Sequence, residues 1–522
     1  MPTTPSYPGV YVEEFPSDVR TIAGVATTIT AFIGRTVRGP TDEPTLLESF
    51  AEIERRFGGL SHDLPLGYAI RDFFQNGGQQ AIIVRLAGNG QRARETGLNL
   101  EASNPGSWGN TLTYVTDATG ITPDTARQLG LPDGTVLFNL TLRDNSPGNV
   151  QTERFTQVAV SQAAGARRLD PVLQSGSNLA RVQTRGDGEP DLPAMPPAMG
   201  QTMALSSGTD GGPLSAADFT GSQTTGTGLY AFYRTDLFNL LCVPPDIRGG
   251  NTNAMVYQAA LAYCFSRRAI LIVDPPAEWG DGQNGAATAT TALGGFLSAA
   301  GLTGPTARNA ALYFPRVVQT DPLAGGNSDT FVPCGMAAGC TARSDTSRGV
   351  WKAPAGREAN LVGTQGLQVN LTDAENRVLN AAGINCLRTF AGSGPIIWGA
   401  RTLATANETA AAEVYLPVRR LELFLTESLL RGLRWTVFEP NAEPLWDQIR
   451  LKVGAFLNGL FRQGAFQGQT PKEAYFIQCD QTTTSPSDAA QGKLILQYGF
   501  APLKPAEFVV ATLELPAGPT PG

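Results

Sequence analysis

The stretch TTITAFIGRTVRGP, residues 27–40, begins the alternation of patterns that decides the fold class. Its apolar run ends in a Gly-Pro turn, which is typical of a short buried strand. Apolar residues then recur at helical spacing in ESFAEIERRFG (48–58) and LGYAIRDFFQNGG (66–78), and QAIIVRL (80–86) is a second apolar strand. The order strand, helix, helix, strand predicts an α/β layer.

The same alternation returns later in the chain. Helical spacing is present in MVYQAALAYCFSRR (255–268) and in ATTALGGFLSAAG (289–301). The first helix is followed by the apolar strand AILIVDPP (269–276), and the second by NAALYFPRVV (309–318). Between the two α/β stretches, residues 88–226 are rich in polar turns and in alternating runs such as TVLFNLTL and RFTQVAV. We therefore expect a discontinuous α/β domain that is interrupted by a mostly β insertion.

The C-terminal part has the patterns of a further domain. Helices are predicted over 411–435 and 444–466, and strands over 492–500 and 506–515. Apolar side chains at helical spacing predict the buried stripe of the second helix: Leu445, Trp446, Ile449, Val453, Phe456, Leu457 and Leu460. The chain is therefore predicted to be a multidomain α/β (α+β) protein.

Composition and charge indicate a globular protein and give no signal for nucleic acid or for membranes. The 522 residues exceed the size of a single core, and 42% of them are apolar. The 39 basic and 46 acidic side chains give a net charge of −7 and form no long runs, so no nucleic-acid stripe or polybasic patch is predicted. No apolar run is long enough to span a bilayer, and the first residues lack the pattern of a secretory signal. We therefore expect a cytoplasmic product.

Residues that could carry catalysis are few and scattered. His62 is the single histidine, so histidine metal clusters and most Ser-His or Cys-His nucleophilic systems lack a component. The chain contains no phosphate-binding glycine motif. Asp274 ends the strand AILIVDPP, where α/β enzymes often place a functional carboxylate, but a strand-end cap or an ion pair is the favoured interpretation. We predict no enzyme, no metal site and no cofactor.

The cysteines are expected to be reduced and mostly buried. They are spread widely, and the closest pair, in CGMAAGC, lacks the spacing of a zinc knuckle. The six positions are Cys242, Cys264, Cys334, Cys340, Cys386 and Cys479.

Both ends of the chain contain strand formers with no partner nearby in the sequence. YPGVYVEEF (7–15) lies between prolines near the start, and AEFVVATLEL (506–515) lies near the end. An unpaired strand exposes backbone donors and acceptors, which natural proteins usually avoid. Addition of these strands to the sheet of another copy would satisfy the exposed groups.

Six segments of unusual composition follow one another along the chain: PGVYVEEF, TAFIGRTVRGP, VPCGMAAGCTARSDTSRGVWKAPAG (332–356), INCLRTFAGSGPIIWGARTL (384–403), WTVFEPNAEPLWDQI (435–449) and GAFQGQTPKEAYFIQCDQTTT (464–484). Together they resemble contractile tail sheath proteins of phages, R-type bacteriocins and phage-tail-like injection systems. The likeness covers both ends and most of the middle of the chain. It leaves out the insertion, which varies in this family.

The resemblance implies a structural subunit that forms stacked hexameric rings around an inner tube and contracts to drive the tube through a target membrane. The implied partners are other copies, the inner tube protein, and baseplate and terminator or cap proteins, with no nucleic acid and no direct membrane insertion. The implied location is the cytoplasm of the producing bacterium and then the assembled phage tail or tail-like particle. The alternative is an α/β hydrolase-like or nucleotide-binding enzyme with a β insertion, which requires a catalytic cluster that the sequence does not offer.

The resemblance also implies the domains and the contact residues. The expected domains are an N-terminal arm (1–26), a discontinuous α/β domain (27–87 and 227–375), an outward-facing insertion (88–226), a C-terminal sheath domain (376–504) and a C-terminal arm (505–522). Exchange of strands between subunits is expected to use Val10, Tyr11, Val12, Phe15, Phe508, Val509, Val510 and Leu513. Contact with the inner tube is expected at Arg450 and Lys452, with Arg419, Arg420 and Arg462 as weaker candidates, and a solvated helix face is the alternative for these charges.

Overall fold

The computed structural model describes residues 21–146, 150–280, 284–404 and 412–505 of the chain. These residues divide into two compact units. The larger unit contains residues 26–421 together with Lys504 and Pro505, and the smaller unit contains residues 21–25 and 422–503. The division along the chain falls after Leu421, inside a helix.

The strands and helices of the described residues are numbered in chain order. The strands are β1 (Thr30–Gly34), β2 (Thr45–Leu47), β3 (Ala81–Arg85), β4 (Leu100–Ala102), β5 (Leu112–Asp117), β6 (Phe138–Asp144), β7 (Gln151–Val158), β8 (Ala180–Val182), β9 (Thr202–Ala204), β10 (Leu240–Cys242), β11 (Ile270–Val273), β12 (Ala310–Phe314), β13 (Val317–Thr320), β14 (Ser328–Phe331), β15 (Gly366–Leu367), β16 (Ile384–Phe390), β17 (Gly394–Ile397), β18 (Tyr475–Gln478) and β19 (Gln497–Phe500). The helices are α1 (Phe50–Phe57), α2 (Pro65–Gln75), α3 (Thr125–Gln128), α4 (Leu169–Gly176), α5 (Ala216–Thr220), α6 (Ala254–Arg267), α7 (Gly285–Ala299), α8 (Cys334–Arg348), α9 (Asp373–Ala381), α10 (Leu416–Gly432), α11 (Glu443–Arg462), α12 (Pro471–Ala474) and α13 (Pro486–Ala490).

An eight-stranded sheet forms the centre of the larger unit, in the order β17, β16, β12, β11, β10, β1, β3, β2. The pairs from β16 through to β3 are parallel, and the edge strands β17 and β2 run antiparallel to their neighbours. Every residue of β1, β3, β11 and β12 is buried, because a parallel sheet is covered on both faces by its crossover segments. The predicted α/β layer is confirmed: β1, α1 and β3 lie inside the predicted ranges, and α2 begins at Pro65, one residue before its predicted range.

The stretch between β3 and β10 contains the residues predicted as a mostly β insertion. It has a four-stranded antiparallel sheet in the order β7, β6, β5, β9, and a separate pair of strands, β4 and β8. Its core is its own and includes Tyr114, Phe138 and Leu142. A buried ion pair of 2.6 Å joins Asp144 of this sheet to Arg38, which follows β1. This ion pair ties the insertion to the segment that leaves the central sheet.

The sequence predicts that the C-terminal domain starts at residue 376, and the structure divides the chain later. Strand β16 pairs in parallel with β12, and β17 extends the same sheet, so residues beyond 376 complete the central layer. The pattern of the sequence does not show this, because the partner strand of β16 lies far away along the chain. The division between the units comes later, within α10.

The smaller unit is built on helices α10 and α11. Six of the seven apolar side chains predicted as the buried stripe of α11 are buried, and Phe456 is half-buried. The ring of Phe456 packs against that of Phe424 from α10, with their centroids 6.2 Å apart. The predicted stripe is therefore confirmed as the contact surface of α11.

Glycines allow helix α8 to pack closely against α2. A methyl group on Gly335 would lie 1.9 Å from the backbone oxygen of Ala69, and one on Gly339 would lie 2.4 Å from the backbone oxygen of Phe73. The segment CGMAAGC therefore serves as a narrow helix face, because any larger side chain would push the two backbones apart. All six cysteines are buried and unpaired with one another, as predicted.

We expect the substitution Gly335→Ala to lower the free energy of unfolding by roughly 1–3 kcal/mol, because the added methyl group overlaps backbone atoms that cannot yield as a side chain can. Urea unfolding measures this change. The matched control is Gly294→Ala in α7, where an added methyl group meets nothing within 4 Å. The control is expected to be neutral or to stabilise by about 0.5–1 kcal/mol. Equal unfolding midpoints for Gly335→Ala and the wild type would contradict the close packing.

Candidate functional site

Asp274, the carboxylate at the end of β11, caps a helix. Its Oδ1 accepts a hydrogen bond of 2.9 Å from the backbone N–H of Cys334, the first residue of α8. The positive end of a helix dipole favours a carboxylate in this position. Of the two favoured interpretations from the sequence, a strand-end cap or an ion pair, this contact supports the cap. His62, the other isolated candidate, lies in an exposed turn beside Asp63.

Burial dominates the electrostatics of Asp274. Its side chain is almost inaccessible, and its Oδ2 has no hydrogen-bond partner among the described residues. Burial raises the pKa of Asp274 to about 7, although the N–H of Cys334 and the guanidinium of Arg316 favour its charged form. The buried groups nearest to it are Arg316, Tyr257 and the thiol of Cys334. Within the described ranges, no three side chains of His, Cys, Asp or Glu come together as metal ligands. Asp274 therefore holds the end of β11 against the start of α8.

The residues expected to exchange strands between subunits lie outside the described residues: Val10, Tyr11, Val12, Phe15, Phe508, Val509, Val510 and Leu513. Their role stays a prediction.

A small sheet in the smaller unit has open edges. Strands β18 and β19 pair antiparallel, and over the described chain neither has a second neighbour. Phe476 of β18 stands opposite Gly499, lays its ring against that glycine, and remains 57% exposed. Two strands alone make a marginally stable sheet, and each outer edge leaves backbone donors and acceptors available. This sheet is therefore a candidate acceptor for added strands.

Arg419 and Arg420 were expected to contact the inner tube, and the structure corrects this expectation. Both side chains are buried in the larger unit. Arg419 donates to Oδ1 of Asn309 at 2.8 Å, and Arg420 makes two hydrogen bonds of 2.6 and 2.8 Å to Asp345. The guanidinium of Arg420 is not free to bind a second protein, because the carboxylate of Asp345 left behind would be buried and unpaired. Sequence spacing gave no signal for these partners, which lie 110 and 75 positions away.

The other three basic candidates lie on α11. Arg450 donates to Glu443 at 2.8 Å and also contacts Asp447 and the backbone oxygen of Cys479. The Nζ of Lys452 lies 3.9 Å from the centroid of the Trp435 ring, a close cation–π contact. Arg462, near the C-terminal end of the helix, is exposed. Arg462 is therefore the most accessible of the three charges.

The central part of the chain matches a known family model. Residues 224–403 match the central domain of the phage tail sheath protein. The match covers 180 of the 522 residues. The match includes β10, β11, β12, β16 and β17 of the central sheet and helix α8. The resemblance seen in the sequence is therefore confirmed.

Two curated sheath proteins are similar to parts of the chain. A tail sheath protein of Vibrio phage KVP40 is 26% identical over 176 residues, which are 34% of this chain and 25% of the phage protein. A tail sheath protein of Burkholderia phage BcepMu is 28% identical over 211 residues, which are 39% of this chain and 42% of the phage protein. The chain thus matches less than half the length of these two relatives.

Solved sheath structures share the fold over nearly the whole chain. The sheath of the PVC extracellular contractile injection system, in its contracted state, has a TM-score of 0.56 and 20% identity and covers 98% of both chains. The contracted helical sheath of the anti-feeding prophage has a TM-score of 0.54 and 20% identity, and it covers 98% of this chain and 99% of its own. A sheath tail protein from Listeria innocua has a TM-score of 0.58 and 14% identity, and it covers 92% of this chain and 96% of its own. The sheath fold therefore extends beyond the matched central domain. No helix in the described part of this chain is long and apolar enough to cross a bilayer.

The raised pKa of Asp274 predicts how stability changes with pH. The pKa of Asp274 is about 7 in the folded state and 3.8 in the unfolded chain, so the folded state binds this proton more tightly. The contribution of Asp274 to the free energy of unfolding therefore falls as the pH rises from about 4 to about 7. The variant Asp274→Asn keeps an oxygen acceptor for Cys334 and does not titrate. We expect its free energy of unfolding, relative to that of the wild type, to rise over this pH range by up to about 4 kcal/mol, at about 1.4 kcal/mol per pKa unit.

Urea unfolding of both proteins across this pH range measures the difference in the free energy of unfolding. A constant difference between Asp274→Asn and the wild type over this pH range would show that the carboxyl group of Asp274 is already charged at about pH 4.

Proposed function

We propose that the chain is a structural subunit of a contractile sheath, which polymerises as stacked hexameric rings around an inner tube and contracts to drive that tube through a target membrane. The observation that carries the proposal is the match of residues 224–403 to the sheath central domain. The shared fold of contracted sheaths over 98% of the chain supports it. The match is to a structural family, so the alternative of an α/β enzyme is not carried forward.

Assembly in this proposal uses strands that subunits exchange. The arms predicted at 1–26 and 505–522 add to the open edges of the β18–β19 sheet of neighbouring copies through the residues before 21 and after 505, because the N–H of Val25 donates to Ser428 of its own chain. An added strand that pairs with the four residues of β18 or β19 gains about 1 kcal/mol net per hydrogen bond and costs about 1–2 kcal/mol per ordered residue. One arm alone is therefore marginal. Apolar contacts at Phe476 and many simultaneous contacts in a lattice supply the remaining affinity.

The insertion, the smaller unit and the ends of the assembly each have a different proposed neighbour. The insertion at 88–226, with its own core, faces outward, where changes of sequence cost little assembly energy. The smaller unit faces the inner tube through the basic side chains of α11, which are Arg450, Lys452 and Arg462, and Arg462 is the most exposed of them. Baseplate and terminator or cap proteins bind the ends of the assembly. The protein is made in the bacterial cytoplasm and becomes part of a phage tail or tail-like particle.

Removal of residues 1–18 is expected to leave a folded protein that no longer builds long tubes, because the described core does not include these residues while the open sheet edges lose their strand. Negative-stain electron microscopy measures tube length, and circular dichroism with thermal unfolding is the control for folding. Tubes of normal length formed by the deletion variant would contradict the role of the N-terminal arm.

Charge reversal by Arg462→Glu is expected to reduce co-assembly with the inner tube protein by roughly tenfold, because the charge at the proposed contact changes sign. Arg127→Glu in the insertion, also an exposed arginine, is the matched control and should co-assemble normally. The fraction of sheaths filled by a tube, counted in micrographs, is the measurement. An equal filled fraction for both variants would place the tube contact elsewhere.

A further inference from the structure

A groove of about 530 Å³ lies in the smaller unit, where the loop from α10 meets the start of α11. Apolar walls and one face of α11 line it, through Trp435, Pro440, Pro444, Leu445, Gln448 and Lys452. The ammonium of Lys452 lies over the Trp435 ring, which holds this ring in place as a wall. The Nε1–H of Trp435 is buried and has no hydrogen-bond acceptor among the described residues. An apolar groove with an unused donor suits a peptide segment, because a peptide offers both apolar side chains and backbone carbonyl oxygens.

The first described residues of the chain run towards this groove. The N–H of Val25 donates to Oγ of Ser428 in α10 at 3.1 Å. Ile22 lies one helical turn further along α10, where a methyl group added to Gly432 would come within 2.8 Å of its side chain. The chain is therefore antiparallel to α10, and the direction from Val25 to Ile22 leads past the end of this helix towards Trp435.

The same path follows one face of α11. Gly24 lies beside Phe456 of α11, since a methyl group added to Gly24 would be 3.9 Å from that ring. Lys452 and Leu445 precede Phe456 at helical spacing, so they share the face that Gly24 approaches. Leu445 is about 16 Å along the helix from Phe456, and an extended chain covers this distance in about five residues. Counted back from Gly24, this length reaches Val19.

We propose that residues 16–20 (PSDVR) of the same chain occupy the groove, with Val19 packed against Leu445 and Trp435. A backbone carbonyl oxygen of this segment accepts the hydrogen bond from Nε1–H of Trp435. These residues directly precede the described part of the chain. The occupant is the chain's own segment, because residues 21–25 already lead to the groove and a tethered segment has a much higher effective concentration there than a second molecule.

The charges of the segment suit this position. The groove is lined by one residue of each sign, Glu439 and Lys452. The segment also contains one residue of each sign, Asp18 and Arg20. Binding of the segment therefore brings no excess charge into the groove.

The contact defines where the N-terminal arm leaves its own subunit. Residues 1–15, which include the predicted strand YPGVYVEEF, stay available to a neighbouring copy, whereas residues 16–20 remain with their own chain. This consequence rests on the proposed sheath function, and the groove contact itself is a property of the single chain.

Disulfide trapping tests whether the segment lies in its own groove. In the double variant Val19→Cys/Gln448→Cys, oxidised glutathione is expected to oxidise the two introduced thiols to an intrachain disulfide and to be reduced to two thiols itself. The six native cysteines are buried and do not compete. Trypsin then releases peptide 1–20 linked to peptide 435–450, which mass spectrometry identifies without reduction.

The matched control is Val19→Cys/Leu451→Cys. Leu451 is 74% exposed on the same helix and does not line the groove. Its disulfide is expected to form at a yield lower by roughly tenfold, because the two thiols then have a lower effective concentration.

Removal of a groove wall tests the same contact without added cysteines. Trp435→Ala is expected to raise the rate at which trypsin releases peptide 1–20 by roughly tenfold, because Arg20 is held in the groove for less of the time. Leu451→Ala is the matched control and should release the peptide at the wild-type rate. Circular dichroism and thermal unfolding check that both variants fold.

The outcomes separate this inference from the proposed function. Equal disulfide yields for the two double variants, or equal peptide release by Trp435→Ala and the wild type, would overturn the groove contact. Disulfide-linked dimers from a mixture of the single variants Val19→Cys and Gln448→Cys would also overturn it, because the segment would then come from a second copy. If the wild type still forms tubes, each of these results leaves the sheath function intact. An intrachain disulfide in a protein that never forms tubes would support the contact and overturn the function.

Discussion

The burial of a parallel sheet on both faces is the constraint on which this structure depends. Strands β1, β3, β11 and β12 have no exposed residue, so each crossover must return a helix or a domain over the sheet. Polar groups are then confined to the strand ends, where Asp274 meets the N-terminus of α8. The same requirement explains the glycines of α8. This helix covers the sheet beside α2, and its glycines let the backbones of the two helices come into direct contact.

The two units differ in the groups that they leave open to solvent. The larger unit uses its buried arginines internally, as the pairs of Arg420 with Asp345 and of Arg38 with Asp144 show. The smaller unit keeps a two-stranded sheet with open edges, a fully exposed Phe438 and a groove. Open backbone groups and exposed apolar area are what other chains bind, so the smaller unit has surfaces that are suited to assembly.

The open edges of the β18–β19 sheet are suited to strand addition. Such an attachment depends on backbone hydrogen bonds, which tolerate many different side chains in the added strand.

Local sequence by itself determined the elements of this protein. Apolar spacing placed β1, α1, α2, β3 and the buried stripe of α11, because the period of a helix or strand is a property of neighbouring residues. Only the tertiary structure decided which of these elements meet. It placed β16 in the central sheet and not in the C-terminal domain, buried Arg419 and Arg420 that the sequence suggested for partner contact, and set Trp435 against Lys452 beside an exposed Phe438. These outcomes depend on residues far apart in the chain or on the path of a loop, and a local pattern contains no information about either.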